Sequence, residues 1–480
     1  MCPDNRPSGG FPSRTDRRDF LRLSAAGVAA PLLSGLVNCS VGATPAAARR
    51  LHHPARATSV IFLYMSGGVS QVDSFDPKPL LKTMHGKPLP QKIERTQFDS
   101  VGAILDTFWK TGRHGESGLE MTDLFPRIAA QADRLAVVRS VTANFSEHAQ
   151  GNFFVHTGFP FLGHPSAGAW VAHGLGTANS ALPPYVVLRS KEASIPHGGV
   201  SIFGNGYLPA SCGASIFDLS DRQAVPNLTP RMAHEEQRRA LDIIARLDRG
   251  FADRVAIEQA ILDAVANAET AFEMQWAVPA ATDLAEESPA TLAAYGVDSP
   301  NRHLAQYAKQ CLMARRLVER QVRFVELSCA SLGIGGGGGG NPWDQHGKIE
   351  KGHGGMAEQV DQPIAALLDD LAERGLLDST LVVFTGEFGR TPFAQGDGRD
   401  HNPFGFSLWL AGGGVKGGVA YGATDEFGYH AVERISTVYD LWATVLHCLG
   451  IDHERLTFRH GGRDMRLTDV HGNVWRDILA

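Results

Sequence analysis

The stretch Ser59-Val-Ile-Phe-Leu-Tyr-Met65, followed by Ser66-Gly67-Gly68-Val69-Ser70-Gln71-Val72-Asp73, is the part of the chain whose reading decides the fold. An apolar, β-branched and aromatic run without polar alternation reads as a strand buried on both faces, and the glycine pair ends it in a loop. Similar runs recur at residues 134–141, 185–188, 323–327, 380–385 and 406–410. Helical patterns lie between them. Residues 356–374 place Val360, Ile364, Leu367, Leu368 and Leu371 at helical spacing and stop at Gly375, a C-terminal cap. Residues 304–321 form a second helix leading into the strand at 323. Strands alternating with helices predict an α/β fold, a mostly parallel sheet covered on both faces. A long Ala/Glu/Arg-rich stretch, about 229–282, reads as a helical insertion beside that sheet.

The composition supports one sizeable core. The chain has 480 residues, 43% apolar and 20% charged, with 53 Gly and 26 Pro that imply many loops. Its net charge of −6 argues against a nucleic-acid partner, which would select a basic surface. Cys212, Cys311, Cys329 and Cys448 are scattered with no paired spacing, so they form no zinc framework. The six glycines Gly335 to Gly340 read as a flexible, low-complexity loop.

At the N-terminus, Asp16-Arg-Arg-Asp-Phe-Leu-Arg22 resembles a twin-arginine export signal. The apolar stretch 23–37 is too short to span a bilayer, and Ala46-Ala-Ala48 offers a cleavage site. The expected organisation is a signal peptide over 1–48 and one domain over 49–480, exported to the periplasm or beyond, with no transmembrane segment after signal removal.

Ligands of open α/β sheets gather at the C-terminal ends of the strands. The loops there carry Asp73, then Trp343-Asp344-Gln345-His346 and His353, then Gly386-Glu387-Phe388-Gly389-Arg390, then Asp400-His401. Carboxylate oxygens mixed with imidazole nitrogens suit divalent metals. Asp344 and His346 are two apart, so extended backbone turns both to one side. Asp73, Asp344, His346, Glu387 and His401 are the expected metal ligands, for Zn or for Ca, Mg or Mn. Arg390 is expected to clamp anionic oxygens of a substrate. Ser146 reads as the cap of the helix that follows it, and His156, His164 and His173 read as loop or surface residues.

Four strings carry a resemblance: Met65 to Pro79, Trp343-Asp-Gln-His346, Leu371 to Pro392, and Gly461 to Gly472. They closely resemble the domain-of-unknown-function 1501 family from about Ala57 to the C-terminus. That family is placed with the alkaline phosphatase and sulfatase superfamily. The resemblance implies a three-layer α/β sandwich, alkaline phosphatase-like, with a metal site at the strand edge. Asp344 and His346 look like the superfamily's aspartate–histidine pair, Glu387 stands in its Asp-His-Gly segment, and His401 looks like its late histidine. Asp73 is the nearest substitute for the first-strand aspartate. The nucleophile of the superfamily would fall near His148 or Ala149, so His148 is expected to bind metal or move a proton. The expected function is a metal-dependent hydrolase of phosphate or sulfate esters, small-molecule or glycan, with a metal-activated water as attacker. The alternative is a non-catalytic envelope binder of a glycan or a partner on the same scaffold.

Overall fold

The computed structural model describes residues 51–96, 101–190, 192–193, 195–220, 224–252, 254 and 258–480. The twin-arginine motif and the cleavage site lie outside the described residues.

The opening run forms β1 (Ser59–Tyr64), buried along its whole length. The other sequence-predicted runs are strands as well: β2 (Leu135–Thr142), β3 (Tyr185–Arg189), β5 (Phe324–Ser328), β6 (Thr380–Thr385) and β9 (Phe406–Gly412). Short strands complete the sheet: β4 (Ser215–Asp218), β10 (Val419–Tyr421) and β11 (Ser436–Thr437). Among the described residues the central sheet has nine strands, in the order β10-β2-β9-β6-β1-β5-β3-β4, with β11 on β2. β1 pairs in parallel with β5 and with β6, and among the described strands of the sheet only β9 runs against its neighbours. The ribbon β7 (Gly389–Gln395) and β8 (Gly398–Asn402) projects from the end of β6.

Successive side chains of β1 enter opposite cores, as the period of two requires. Ile61 and Leu63 pack into the layer of α5 (Arg302–Glu319) and α6 (Ile349–Glu373). Val60, Phe62 and Tyr64 pack into the layer of α1 (His148–Thr157), α2 (Ala167–Leu175) and α7 (Val438–Cys448). The result is helix layer, sheet, helix layer.

The insertion is a pair of helices, α3 (His234–Ala252) and α4 (Glu258–Thr282). Helix α6 begins seven residues earlier than its apolar pattern, because Gly352, Gly354 and Gly355 interrupt that pattern in the first turns. The glycine run is not an open loop. Gly347 N–H donates to Gly335 O at 2.9 Å, and Ser66 Oγ donates to Gly340 O at 2.7 Å. A Cβ at Gly335 would lie 1.7 Å from Gly347 O, so the glycines permit a backbone contact that other residues would block. Cys212, Cys311, Cys329 and Cys448 are buried, and among the described residues they form no disulfide.

Candidate metal centre

Every strand-edge loop singled out in the sequence lies at one end of the sheet. β1 runs into Gly67, which has φ +106°, and Gly68. The segment after β5 returns as Trp343–His346, with Trp343 N–H donating to Ser66 O at 3.0 Å. Glu387 follows β6, and His401 leads from β8 toward β9. His148 opens α1, six residues after β2. The cap of α1 is Glu147, whose carboxylate accepts Gln150 N–H at 3.0 Å, and not Ser146.

His148, Asp344, His346 and His401 each offer a ligand atom, and these atoms lie within 4.8 Å of one another. Asp344 is the hub. Its Oδ1 lies 2.8 Å from His346 Nε2, 3.2 Å from His401 Nε2 and 2.8 Å from Arg390 Nη2. Its Oδ2 lies 3.3 Å from His148 Nε2. Burial alone would raise the Asp344 pKa. Arg390 and the three imidazoles outweigh it and hold the carboxyl well below the usual carboxylate range.

The other ring nitrogens define how each imidazole faces Asp344. His401 Nδ1 lies 2.6 Å from Ser146 O, and a carbonyl can only accept, so Nδ1 carries the proton and Nε2 turns inward. His148 Nδ1 donates to Glu387 Oε1 at 2.6 Å. His346 Nδ1 donates to Gln395 Oε1. Three Nε2 atoms therefore surround one carboxylate, and the buried His148 Nε2 faces Asp344 Oδ2 at 3.3 Å without a well-formed hydrogen bond to any of the described residues. Nitrogen lone pairs facing a carboxylate repel it unless a proton or a cation lies between. In the cation-free protein burial lowers the His148 pKa, but the neighbouring carboxylates of Asp344 and Glu387 prevail and push it up to about 8. Burial, with Arg390 and His148 nearby, brings His401 down to about 4. The donor set fits a divalent cation, whose ligands in a tetrahedral zinc site stand roughly 3.4 Å apart.

Other sequence-expected residues have different places. Glu387 stands behind His148, accepting Gly67 N–H at 2.8 and 3.0 Å and Tyr64 Oη–H at 3.2 Å. That makes it the carboxylate of a carboxylate–histidine pair, with Tyr64 as a partner that the sequence reading missed. The signal was a polar tip at the end of an otherwise apolar strand. Asp73 is not brought into the cluster. It is fully buried, bonded to Arg399 at 2.6 and 3.1 Å and to Ser70 Oγ at 2.5 Å. Burial would raise its pKa, yet the Arg399 charge lowers it overall. Arg390, expected as an anion clamp, is also fully buried, with Nε on Gly68 O at 3.1 Å, Nη2 on Gly67 O and Asp344, and Nη1 on Arg399 O at 3.3 Å. Its guanidinium is spent on holding the β1 loop against Asp344.

His353 is buried in α6, where Nε2 accepts Ser70 N–H at 3.0 Å, and burial drives its pKa down to about 3. His156 and His173 are buried within helices, contrary to the loop or surface expectation. His156 bonds Glu326 at 2.8 Å beneath the sheet edge.

Fold and cluster together define an α/β protein with a candidate metal centre at the C-terminal edge of its sheet. The chain belongs to the family described as "Protein of unknown function (DUF1501)", whose model matches residues 57–479. No curated protein sequence matches it. Among solved structures it is similar to the lipoteichoic acid synthase LtaP from Listeria monocytogenes, at TM-score 0.38 and 9% identity over 87% of this chain and 76% of that one. It is similar to the PsFucS1 sulfatase from Pseudoalteromonas sp., at TM-score 0.36 and 12% identity over 83% and 69%. It is also similar to alkaline phosphatase from the Antarctic bacterium TAB5, at TM-score 0.35 and 10% identity over 82% and 98%.

Proposed function

We propose that this chain is an exported, metal-dependent hydrolase of phosphate or sulfate esters. The observation that carries the reading is the convergence of His148, Asp344, His346 and His401, with one donor atom of each within 4.8 Å of the rest. Three imidazoles and one carboxylate favour zinc, or another first-row ion, over Ca or Mg, which take oxygen ligands. Such an ion would offset anionic charge on the transferred group and lower the pKa of a water to about 7. The ester class follows from the motif resemblance, and export from the twin-arginine motif.

The residues of the chain have separable tasks. Glu387 holds the His148 proton on Nδ1, so that Nε2 is presented to the site. The Ser146 carbonyl does the same for His401, and Gln395 for His346. Arg390 keeps Asp344 ionised and in place. His148, with its pKa near 8 in the cation-free protein, has to release its Nε2 proton before that nitrogen can serve as a ligand.

Elemental analysis of the purified protein should find a stoichiometric first-row metal, lost in Asp344→Ala. Turnover should then appear in a screen of phosphate and sulfate esters and vanish with the same substitution. A wild-type protein that takes up no metal ends this reading.

A second reading, a non-catalytic binder of an envelope glycan or partner, is favoured by one observation. Arg390 is committed to Gly67, Gly68 and Asp344, so it cannot also clamp an anionic substrate. That reading expects metal uptake without turnover of any ester, together with glycan binding.

A further inference from the structure

We propose that His197 is a substrate-contact residue of the metal centre, donating its Nε2–H to an anionic oxygen of the tetrahedral phosphate or sulfate group that the centre receives. The inference rests on the hydrolase reading above and supplies a contact that Arg390 cannot, since that side chain is committed to Gly67, Gly68 and Asp344. His197 is exposed, yet its ring stands beside the cluster. Its centroid is 6.1 Å from that of His148, and the two planes meet edge-on at 89°. It is not one of the four clustered donors.

Three neighbours fix it there. Asn152, fully buried in α1, donates from Nδ2 to His197 O at 3.0 Å. The Oδ1 of Asn152 lies against Tyr64 Oη, the hydroxyl behind Glu387. The end of the glycine run packs on the same residue, where a Cβ at Gly340 would stand 2.8 Å from His197 N and 2.9 Å from its Cδ2. Asn341, also buried, donates from Nδ2 to His197 Nδ1 at 3.1 Å, and its Oδ1 lies 3.2 Å from Ser66 Oγ. Asp344 N–H donates to Asn341 O at 3.1 Å, so the segment that orients the His197 ring also carries the hub of the cluster.

An amide nitrogen only donates, so Nδ1 accepts and the ring proton stands on Nε2. Among the described residues no protein group accepts that proton. Holding an exposed side chain still costs rotamer entropy. A fixed N–H aimed at water gains nothing from that cost, whereas one set beside a centre that receives an anion is a preorganised donor.

The test uses the full chain loaded with zinc, or with the first-row metal that elemental analysis finds in it, and freed of excess metal. Inorganic phosphate and inorganic sulfate are titrated in by calorimetry. Wild type should bind at least one of the two anions, and His197→Ala should weaken that binding at least about tenfold, the loss of one hydrogen bond to a charged group. His197→Gln keeps an N–H on a side chain of similar reach and should recover part of the loss. Metal content and melting temperature should stay at the wild-type level in both variants. His197→Phe, which keeps the ring and removes the N–H, serves if the alanine variant does not fold. Equal anion binding by wild type and His197→Ala, with metal retained, would overturn this inference and leave the hydrolase reading standing. A metal-loaded wild type that binds neither anion would overturn it too. Loss of metal from His197→Ala would overturn it by making His197 a ligand. A wild type that takes up no metal ends the hydrolase reading, and this inference with it.

Discussion

Asp73 and Glu387 show how two acidic residues at one sheet edge acquire different duties from their neighbours. Asp73 faces Arg399 in a pair with no solvent exposure on either side. Removing one partner leaves a buried charge uncompensated, so Asp73→Ala should destabilise the protein by about 3–5 kcal/mol. Chemical denaturation checks this, and elemental analysis of the same variant should show its metal content unchanged. Glu387 instead touches His148. Glu387→Gln removes the carboxylate that sets the ring proton on Nδ1, so metal affinity should fall roughly 10–100-fold with little change in the fold. Isothermal titration with zinc reads this directly, without reference to any substrate.

At the level of elements, the site exists because three connections approach closely. The loop after β1 meets the 343–346 segment backbone to backbone. A Cβ on Gly67 would sit 2.6 Å from both Trp343 N and Asp344 N, at a φ of +106° that side chains rarely adopt. Gly67→Ala should therefore cost about 1–3 kcal/mol in backbone strain alone and push Asp344 out of place. The expected result is a lower melting temperature together with loss of metal, whereas Asp73→Ala loses stability and keeps its metal. Helix α1 approaches from the other side. Its Gly151 lets the Glu387 side chain pass at 3.1 Å from where a Cβ would stand, which brings His148 within reach of that carboxylate.

For the molecule as a whole, the cluster joins positions 148, 344, 346 and 401, contributed by separate connections across the sheet. Unfolding separates them, so a cation held by all four stabilises the native state. At a free zinc concentration of 100 Kd the gain should be about 2.7 kcal/mol, seen as a rise in Tm that a chelator reverses. Protons compete for the same nitrogen. His148 titrates near 8 in the cation-free protein, so below that value its Nε2 is occupied by a proton that must leave before a metal binds. Affinity should drop by up to about tenfold per pH unit as pH falls below about 8 and level off above it. An affinity that is flat from neutral to alkaline pH would exclude His148 as a ligand.

Much of this architecture was readable without coordinates. The apolar runs at 59–65 and 380–385 announced buried parallel strands, because a strand covered on both faces has no polar alternation. The spacing of Asp344 and His346 announced a pair of donors on one side. Residue type alone could not separate Asp73 from the site, show Arg390 turned inward, or put Tyr64 behind Glu387. Nor could it tell that Gly335 to Gly340 are packed against Gly347. Local sequence determines which segments become strands and which loops bear carboxylates and imidazoles, since periodicity and chemistry are local properties. Whether a carboxylate meets a guanidinium or an imidazole depends on segments hundreds of residues away, and only the folded sheet brings those together.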